Sequence, residues 1–420
     1  MAYLPPHKRH PSTTASTSTP APNPPPPSLS SSLRSLSLAS ARGRGRGAGG
    51  RHPRASTKII HAAGCISRWS PLPPFSPGGD GEEHTLRLEP FPCAPIEHRT
   101  GAKPLALVVA STPVQGSSGS TAVAVTAIAE RFLPDLLAAA ERTKAEGAPK
   151  DELVKLSLVA RLGKVLFQCQ PGGSPVSLDT LRQAAKAGED GSKSQLRKSF
   201  YTNVPSECLD DMERSMVKRM GLDFDSSKEQ YHVKVFDKNQ CDSTISCKCT
   251  VEEDESLAIH KVELNQVRHL VEDISCLLKG LDLRLMLCKK RILKNLDLQS
   301  EVEIAVKSLV SAAVIDPNVK GGIRWPLGKE SIGERFSIVG VWHTNYKAFR
   351  NETMRLKLRH ADRFDHRSSS GEVSNEVTFK LTAISRKLEE GEPVENSVKE
   401  MLESAVQMVW DNALNYQIVP

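Results

Sequence analysis

Hydrophobic and polar residues alternate with a period of two in several short stretches, and this pattern predicts β-strands. The predicted strands cover residues 84–92, 104–110, 156–168, 231–236, 257–264, 282–288, 336–343 and 353–359. In the last of them, Met354-Arg-Leu-Lys-Leu-Arg359, apolar side chains share one face and cationic side chains share the other. Such alternation is typical of a sheet that buries one face and leaves the other polar.

Other stretches place apolar residues three and four positions apart, which predicts amphipathic helices. They cover residues 178–187, 206–220, 300–315, 373–390 and 396–414. The helix at 300–315 starts with a capping box, Ser300 with Glu303, and Pro317 prevents its continuation. Several strands follow one another without a helix long enough for a parallel crossover, so we predict an α+β fold with a largely antiparallel sheet packed with helices.

The segment 111–149 differs from the rest of this pattern. Gly116-Ser-Ser-Gly-Ser120 has the composition of a linker, and the alanine-rich stretch 122–146 favours a helix that Pro134 should kink or divide. We therefore predict a flexible linker and a peripheral helix insertion at 111–149. Residues 80–110 then form the first strands of the folded region, and 150–420 form the main domain.

Composition separates residues 1–79 from the remainder. This segment is rich in Pro, Ser and Gly and contains no Asp or Glu, and its Lys and Arg residues alone exceed the +7 net charge of the whole chain. A chain with so little apolar surface cannot offset the entropy of ordering its backbone, so we predict a disordered basic tail. The remainder of the chain is close to neutral.

Within the tail, Arg42, Arg44, Arg46 and Arg51 alternate with small residues, and this composition suits contact with nucleic-acid phosphates. We predict RNA binding there. An acid-free, Ser- and Arg-rich terminus is also typical of organellar transit peptides, and an inert linker is a third interpretation. We favour a cytoplasmic or nuclear location, with chloroplast or mitochondrion as the alternative. The sequence holds no apolar stretch of membrane-spanning length, so no membrane partner is expected.

The chain resembles a plant protein family of unknown function whose members begin Met-Ala-Tyr-Ile-Pro-Pro-His-Lys-Arg-His. The matching blocks here include Met-Ala-Tyr-Leu-Pro-Pro-His-Lys-Arg-His10, Phe200-Tyr-Thr-Asn-Val-Pro205, Lys320-Gly-Gly-Ile-Arg-Trp-Pro-Leu-Gly328 and Arg359-His-Ala-Asp-Arg-Phe-Asp365. The resemblance implies kinship without an established activity.

The first residues also resemble a Tyr-Ile-Pro-Pro-His-Leu-Arg motif found in the N-terminal tails of DEAD-box RNA helicases. The resemblance implies a protein partner whose groove binds the Tyr-Leu-Pro-Pro motif, and it singles out Tyr3, Pro5, Pro6 and Arg9. Lys8 stands where ligands of the translation factor linked to that motif carry Leu, and a charged ammonium does not fill an apolar pocket. The partner is therefore predicted to differ from that factor.

Cys241, Cys247 and Cys249, with His232 or His260 nearby, form a candidate zinc site. Cys247 and Cys249 alternate with polar residues on a predicted strand, and a free cysteine behaves as a small buried hydrophobe. Their spacing also differs from that of a zinc knuckle. We therefore expect neither a metal site nor a cofactor.

Cationic residues supply the remaining candidate site. We predict a basic face made of Arg284, Arg324, Arg355, Lys357, Arg359 and Arg363, which either faces solvent or binds an anionic ligand. The loop Lys320-Gly-Gly-Ile-Arg-Trp-Pro-Leu-Gly-Lys329 lacks the spacing of a phosphate-binding loop, so we interpret it as a structural turn.

These observations favour a non-enzymatic RNA- or translation-associated binding protein. The alternative is a metal-dependent phosphohydrolase acting on nucleotide or RNA phosphates, because Leu281-Asp-Leu-Arg-Leu-Met-Leu287 resembles the basic strands of tunnel-type triphosphatases. Those enzymes place Glu-x-Glu pairs on strands, whereas Glu301-Val-Glu303 falls in a predicted helix. No catalytic residue is assigned.

Overall fold

The computed structural model describes residues 60–73, 86–109, 119–147, 152–169, 176–186, 196–240, 244–264, 266–293, 301–391 and 394–416. It confirms the predicted α+β class, with a 14-stranded, mostly antiparallel sheet and helices packed against it. In chain order the strands are β1 Ile60–Leu72, β2 Leu86–Pro90, β3 Leu105–Val109, β4 Glu152–Cys169, β5 Leu196–Tyr201, β6 Asp223–Asp237, β7 Thr244–Val251, β8 Leu257–Leu264, β9 Val267–Cys276, β10 Asp282–Leu293, β11 Val314–Ile315, β12 Ile323–Arg324, β13 Ser331–Ile332, β14 Phe336–Arg350, β15 Arg355–Asp365 and β16 Ser370–Lys380. The helices are α1 Ala94–Thr100, α2 Gly119–Ala145, α3 Leu178–Lys186, α4 Ser206–Asp211, α5 Val217–Arg219, α6 Glu301–Ser311, α7 Thr382–Glu389 and α8 Glu395–Asn412, and a π-helical stretch, Met212–Met216, joins α4 to α5.

Eight strands of the sheet close into a barrel. Each pairs antiparallel with the next in the order β4, β10, β8, β7, β6, β14, β15, β16, and β16 pairs with β4 to complete the ring. The junction between β8 and β10 is short and pairs Glu263 with Ile292. Closure removes free sheet edges and gives every barrel strand an inner and an outer face.

Further strands extend the sheet beyond the ring. β9 pairs antiparallel with β10, and β1 lies parallel to β9. The second half of β4 leaves the ring and pairs with β5 and β3, and β3 in turn pairs with β2. These strands widen the wall of the barrel on the side of β4 and β10.

The main hydrophobic core lies outside the barrel, between its outer face and helices α2, α7 and α8. Leu356 and Leu358 of β15 and Phe379 of β16 are buried there with Leu136 of α2 and Leu402 of α8. Successive residues of a strand point to opposite faces, so burial of the leucines outside the barrel directs the residues between them inward. The outer core thus orients the functional side chains.

A second core covers the outer face of β6 and β7. Val233 and Cys247 are fully buried against Val306 and Leu309 of α6. Burial, followed by the neighbouring Cys249, raises the pKa of the Cys247 thiol far above its usual range. Both observations agree with buried, protonated thiols at Cys247 and Cys249, while Cys241 lies outside the described residues.

The disordered tail was predicted to extend too far along the chain. Residues 60–72, assigned to the tail, form β1, which pairs with Val267–Cys276 along most of its length. Trp69 packs edge-on against Phe167, with ring centroids 5.0 Å apart. β1 gains its order from this tertiary pairing, which its own composition does not indicate.

The predicted peripheral insertion at 111–149 is also wrong for its helical part. α2 runs unbroken through Pro134, and Ile128, Phe132 and Leu136 are almost completely buried in the main core. Packing against β9, β10 and α8 therefore outweighs the helix-breaking tendency of the proline.

The predicted helix at 373–390 is a strand followed by a helix. β16 covers Ser370–Lys380, and only Thr382–Glu389 is helical. Val373 and Val377 are four residues apart, as on a helix face, but β16 pairs with both β15 and β4. Pairing on both sides overrides the local spacing. The helix at 396–414 is confirmed as α8.

Of the predicted helix at 300–315, residues 301–311 form α6, and Ser300 of the proposed capping box lies outside the described residues. In the described part of the chain, no helix combines the length and the apolar character needed to span a membrane.

Candidate anion-binding site in the barrel

The cationic face predicted on β15 lies inside the barrel. Because Leu356 and Leu358 are buried on the outer side, Arg355, Lys357 and Arg359 point into the lumen. Lys357 interacts electrostatically with Lys248 of β7 and Lys290 of β10, two strands that are not neighbours of β15. These charges therefore meet across the lumen and not along the wall.

The lumen carries many more cations than carboxylates. Its cationic side chains come from seven of the eight barrel strands and are Arg161, Lys234, Lys248, Lys261, Lys290, Arg355, Lys357, Arg359, Arg363 and Lys380. The carboxylates among them are Glu263, Glu372 and Glu376, and Asp225 of β6 pairs with Arg355. Excess positive charge inside a closed wall produces a strong field for anions.

Glu376 organises the arginines on one side of the lumen. Arg359 donates from Nη1 to Glu376 Oε2 at 3.2 Å, and Arg363 donates from Nη2 to the other carboxylate oxygen. Burial opposes ionisation of Glu376, but Arg363, Arg359 and Arg161 outweigh it and lower the pKa of the carboxyl to about 2. Glu376 is therefore a permanent anion that positions two guanidinium groups.

Glu263 has the same role among the lysines on the opposite side. Its carboxylate accepts from Lys248 Nζ at 2.9 Å and from Lys261 Nζ at 2.5 Å. Burial again opposes ionisation, yet Lys248 and Lys261 lower the pKa of Glu263 to about 2. One carboxylate pairs with two ammonium groups, so this side of the lumen keeps a net positive charge.

Four lumen lysines have no carboxylate within the 4.0 Å of an ion pair in the described part of the chain: Lys234, Lys290, Lys357 and Lys380. Lys234 and Lys357 instead lie over aromatic rings, at 4.5 Å from the centre of Trp342 and 3.8 Å from that of Tyr346. Burial is the main reason that the pKa of Lys234 and of Lys290 falls to about 8.

Three arginines contribute further buried hydrogen-bond donors to the lumen. Arg161 Nε, Arg355 Nε and Arg363 Nε are shielded from solvent and donate no hydrogen bond to any described residue. An unsatisfied buried donor is costly, and each retains the capacity to bind an acceptor oxygen. Arg363 also lies over Trp342, with 5.0 Å between the guanidinium carbon and the ring centre.

The structure places some residues of the predicted basic face together in the lumen and gives the others different partners. Arg355, Lys357, Arg359 and Arg363 share the lumen. Arg284 is the register neighbour of Arg161, but its Nη2 donates to buried Asp273 Oδ2 at 2.9 Å, and its guanidinium lies over Phe200.

Arg324 lies apart from the lumen, on the short strand β12. It donates to Asp316 Oδ2 at 2.8 Å, and its side chain is about half exposed. The predicted convergence of Arg324 with the face on β15 is therefore wrong. Local charge pattern alone does not reveal which cations share an enclosed space.

The loop from Lys320 to Lys329 packs on the outer face of β14 and β15. Gly321 donates its backbone N–H to Asp362 Oδ2 at 3.0 Å, and Gly322, at φ 72°, lies close to Tyr231. A Cβ atom at either glycine would approach a neighbouring side chain within 3.0 Å. The loop is a turn packed against the barrel wall, as the interpretation from sequence proposed.

Sequence reasoning missed Arg161, Lys234, Lys248 and Lys290 as members of the site. The first three alternate with buried apolar residues on their own strands, as in Val233-Lys-Val235 and Cys247-Lys-Cys249, whereas Lys290 lies between Lys289 and Arg291. That alternation was the available signal, but it is equally typical of a sheet with one face in solvent.

Within the described ranges, no group of three or more His, Cys, Asp or Glu side chains could hold a metal ion. Glu301 and Glu303 lie on α6, which packs outside the barrel, and Glu301 accepts a hydrogen bond from Arg335. The tail residues predicted as partner-binding or RNA-binding, Tyr3, Pro5, Pro6, Arg9, Arg42, Arg44, Arg46 and Arg51, lie outside the described residues.

Fold and site together define a closed antiparallel β-barrel protein with a cation-lined lumen. The chain belongs to the family described as a domain of unknown function, DUF7903, which matches residues 53–413. No curated protein matches the chain.

Solved structures give weak similarities. The S. pombe Pct1 RNA triphosphatase in complex with the Spt5 CTD has a TM-score of 0.38 and 10% identity, over 70% of this chain and 93% of the other. The same triphosphatase in another structure gives a TM-score of 0.36 at 10% identity, with the same coverage of 70% and 93%. A putative adenylate cyclase from Bacillus halodurans has a TM-score of 0.23 and 12% identity, over 52% of this chain and 90% of the other. No residue role is transferred from them.

Proposed function

We propose that this protein binds a ligand with several linked phosphate groups, carried by a nucleotide or by the 5′ end of an RNA, inside the barrel. The observation that supports this function is the excess of Lys and Arg over carboxylates on the inner faces of a closed ring. Like charges confined together repel, and an entering polyanion relieves that repulsion. Binding energy therefore comes from charge that the empty barrel leaves uncompensated.

The donor types favour phosphate over a single carboxylate. Guanidinium groups present several N–H donors in a plane and pair with two oxygens at once, while ammonium groups act as compact point charges. Arg359 and Arg363 are held in place by Glu376, and Lys248 and Lys261 are held by Glu263. A chain of phosphates can span both groups, whereas one carboxylate can satisfy only one.

The RNA-associated role extends this proposal to the tail. Arg42, Arg44, Arg46 and Arg51 would contact the backbone of an RNA whose 5′ phosphates occupy the lumen, giving a non-enzymatic binding protein with a sequence-tolerant arm. Tyr3, Pro5, Pro6 and Arg9 would remain free for a protein groove. Both parts of the tail stay predictions.

Hydrolysis of the bound phosphates is the second candidate function. Two ionised carboxylates, Glu263 and Glu376, lie among the cations of the lumen and could orient a water molecule or share a divalent ion with the ligand. Release of inorganic phosphate from tripolyphosphate in the presence of Mg²⁺ or Mn²⁺ would favour this candidate over binding alone.

Isothermal titration calorimetry of the full chain tests the proposed function. The probes are tripolyphosphate, ATP, a 5′-triphosphorylated RNA oligonucleotide and the same oligonucleotide with a 5′-hydroxyl. We expect the phosphate-chain probes to bind, with affinity that falls as salt rises, and Arg359→Gln to weaken them about 10-fold or more, as loss of a charge-assisted hydrogen bond does.

Arg324→Gln is the matched control, because Arg324 lies outside the lumen and pairs with Asp316. It should leave affinity unchanged. Equal losses in Arg359→Gln and Arg324→Gln, or no binding of any phosphate probe by the wild-type chain, would contradict the proposed function.

A further inference from the structure

Lys357 occupies an unusual position in the lumen. Its strand neighbours Arg355 and Arg359 point the same way. The charged and titratable groups around it are Arg355 and Arg359 of β15, Tyr346 of β14, Glu376 and Lys380 of β16, Lys248 of β7, Lys290 of β10 and Asp225 of β6, which pairs with Arg355. Most of these groups are cations.

No carboxylate compensates the Lys357 amine directly. Its Nζ lies 3.8 Å from the centre of the Tyr346 ring and forms no ion pair within the described part of the chain. Glu376 is already engaged by Arg359 and Arg363. Burial is the main reason that the pKa of Lys357 falls to about 6, and Arg359, Arg355, Lys248 and Lys290 add to the effect. The surrounding cations and the lowered pKa together favour the neutral amine of Lys357 at neutral pH.

We propose that Lys357 sets the specificity of the barrel for highly charged phosphate ligands by taking up a proton from solvent as such a ligand enters. The neutral amine becomes an ammonium that donates to a phosphate oxygen, and no covalent bond forms or breaks. This inference rests on the proposed function, since it concerns the same site.

Specificity follows from the cost of the added charge. An ammonium at Lys357 is repelled by the surrounding cations, and only a ligand with several negative charges offsets that repulsion. Inorganic phosphate carries too little charge to favour protonation, whereas a chain of phosphates carries enough. Selection therefore depends on ligand charge more than on ligand shape.

The expected pH dependence has a defined sign. Bound phosphate raises the pKa of Lys357 above about 6, so affinity falls as pH rises above that value and the proton must be taken up from solution. Lys234 and Lys290, with pKa values of about 8, are mostly charged already at pH 7. Burial and then Lys248 lower the pKa of His232, another lumen base, so only the difference in proton uptake between wild type and a Lys357 variant reports on Lys357.

The test is calorimetry of the full chain with tripolyphosphate at pH 7, in buffers that differ in ionisation enthalpy, which gives the number of protons taken up per ligand. Lys357→Arg keeps a positive charge but carries it permanently, so we expect wild type to take up about one proton more than this variant. Protons exchanged by the ligand itself are common to both proteins and cancel in the difference.

Two further variants are measured in the same calorimetric experiment. Lys347→Arg is the matched control, because Lys347 is half exposed and pairs with Glu213 at 2.7 Å, and it should match wild type. Lys357→Met, which cannot be protonated, should bind tripolyphosphate at least about 10-fold more weakly while its weak affinity for inorganic phosphate changes little. It also provides a readout if the arginine variant does not fold.

The outcomes separate the two proposals. Binding of tripolyphosphate with equal proton uptake in wild type and Lys357→Arg, or undiminished binding by Lys357→Met, would overturn the role of Lys357 and leave the proposed function standing. Absence of tripolyphosphate binding by wild type between pH 6 and pH 8 would overturn both.

Discussion

The inside of the barrel and the layer outside it are made by the same strands and have opposite chemistry. On β15, Leu356 and Leu358 are buried among helices α2, α7 and α8, while Lys357 and Arg359 between them face a lumen crowded with cations. The outer layer consists of large apolar side chains such as Leu136 and Phe379 that are fully buried. One set of alternate residues therefore stabilises the fold, and the other set supplies a charged interior.

On the barrel strands, the residues that face outward stabilise the fold, and the residues that face inward form the candidate binding site. Apolar burial outside the barrel supplies favourable free energy, whereas cations inside the barrel that lack enough carboxylates oppose folding. A protein keeps such an interior only at the expense of stability gained elsewhere. Removing an apolar side chain from the outer face should accordingly lower stability, whereas removing a lumen cation that has no ion pair should raise it.

The largest expected effect is on the outer face. Phe379→Ala should lower the free energy of unfolding by roughly 3–5 kcal/mol, because it removes a fully buried aromatic ring and leaves a cavity in the main core. Chemical denaturation measures the change. Val373→Ala on the same strand is the control and should have a small effect, since Val373 is 44% exposed. A comparable loss in both variants would contradict the placement of Phe379 in the main core.

An intermediate effect is expected at Glu376. Glu376→Gln should lower the free energy of unfolding at pH 7 by roughly 2–3 kcal/mol, because Arg359 and Arg363 lose their common carboxylate in a buried setting. Its tripolyphosphate affinity should rise as the lumen becomes more cationic.

The pH dependence of that variant sharpens the prediction. The pKa of Glu376 is lowered to about 2 in the folded protein, so its stabilising contribution is present above its usual pKa near 4.5 and is lost as pH falls toward 2. Wild type and Glu376→Gln should thus converge in stability in acid. The control is Glu334→Gln, whose carboxylate is 93% exposed and should show no such convergence.

The smallest effect, with the opposite sign, is expected at Lys357. Lys357→Met should raise the free energy of unfolding by roughly 1–2 kcal/mol at pH 7, because it replaces a half-buried amine without an ion pair by an apolar side chain of similar length. A lysine whose pKa is lowered on folding destabilises the folded protein. For Lys357 the destabilisation is largest below the folded-state pKa of about 6 and vanishes above the unfolded-state pKa near 10. The gain should therefore shrink as pH rises, and thermal unfolding across that range measures it. A gain that is constant with pH would contradict this account of Lys357.

Much of the fold could be predicted from local pattern. The strands near 104–110, 156–168, 257–264 and 282–288 and the helices near 178–187 and 396–414 lie where alternation or helical spacing placed them. The same alternation identified Arg355, Lys357, Arg359 and Arg363 as one cationic face. In each case the local sequence alone contains the periodicity that the element expresses.

The errors share a physical cause. β1 is ordered by parallel pairing with β9, α2 stays continuous through Pro134 because Phe132 and Leu136 are buried, and β16 is held extended by strands on both sides. Partners distant in the sequence decided each of these outcomes, and no local window contains them.

Local sequence pattern was enough to predict that β15 has a cationic side, that the cysteines at 247 and 249 are buried thiols, and that sheet and helices form an α+β fold. Enclosure of the cationic side follows from tertiary contacts and could not be predicted from that pattern. Pairing of β4 with both β10 and β16 closes the ring, brings Lys248 and Lys290 opposite Lys357, and leaves Arg324 outside. Alternation is a property of one strand, whereas enclosure depends on which strands meet, and that is settled by contacts between residues far apart in the chain.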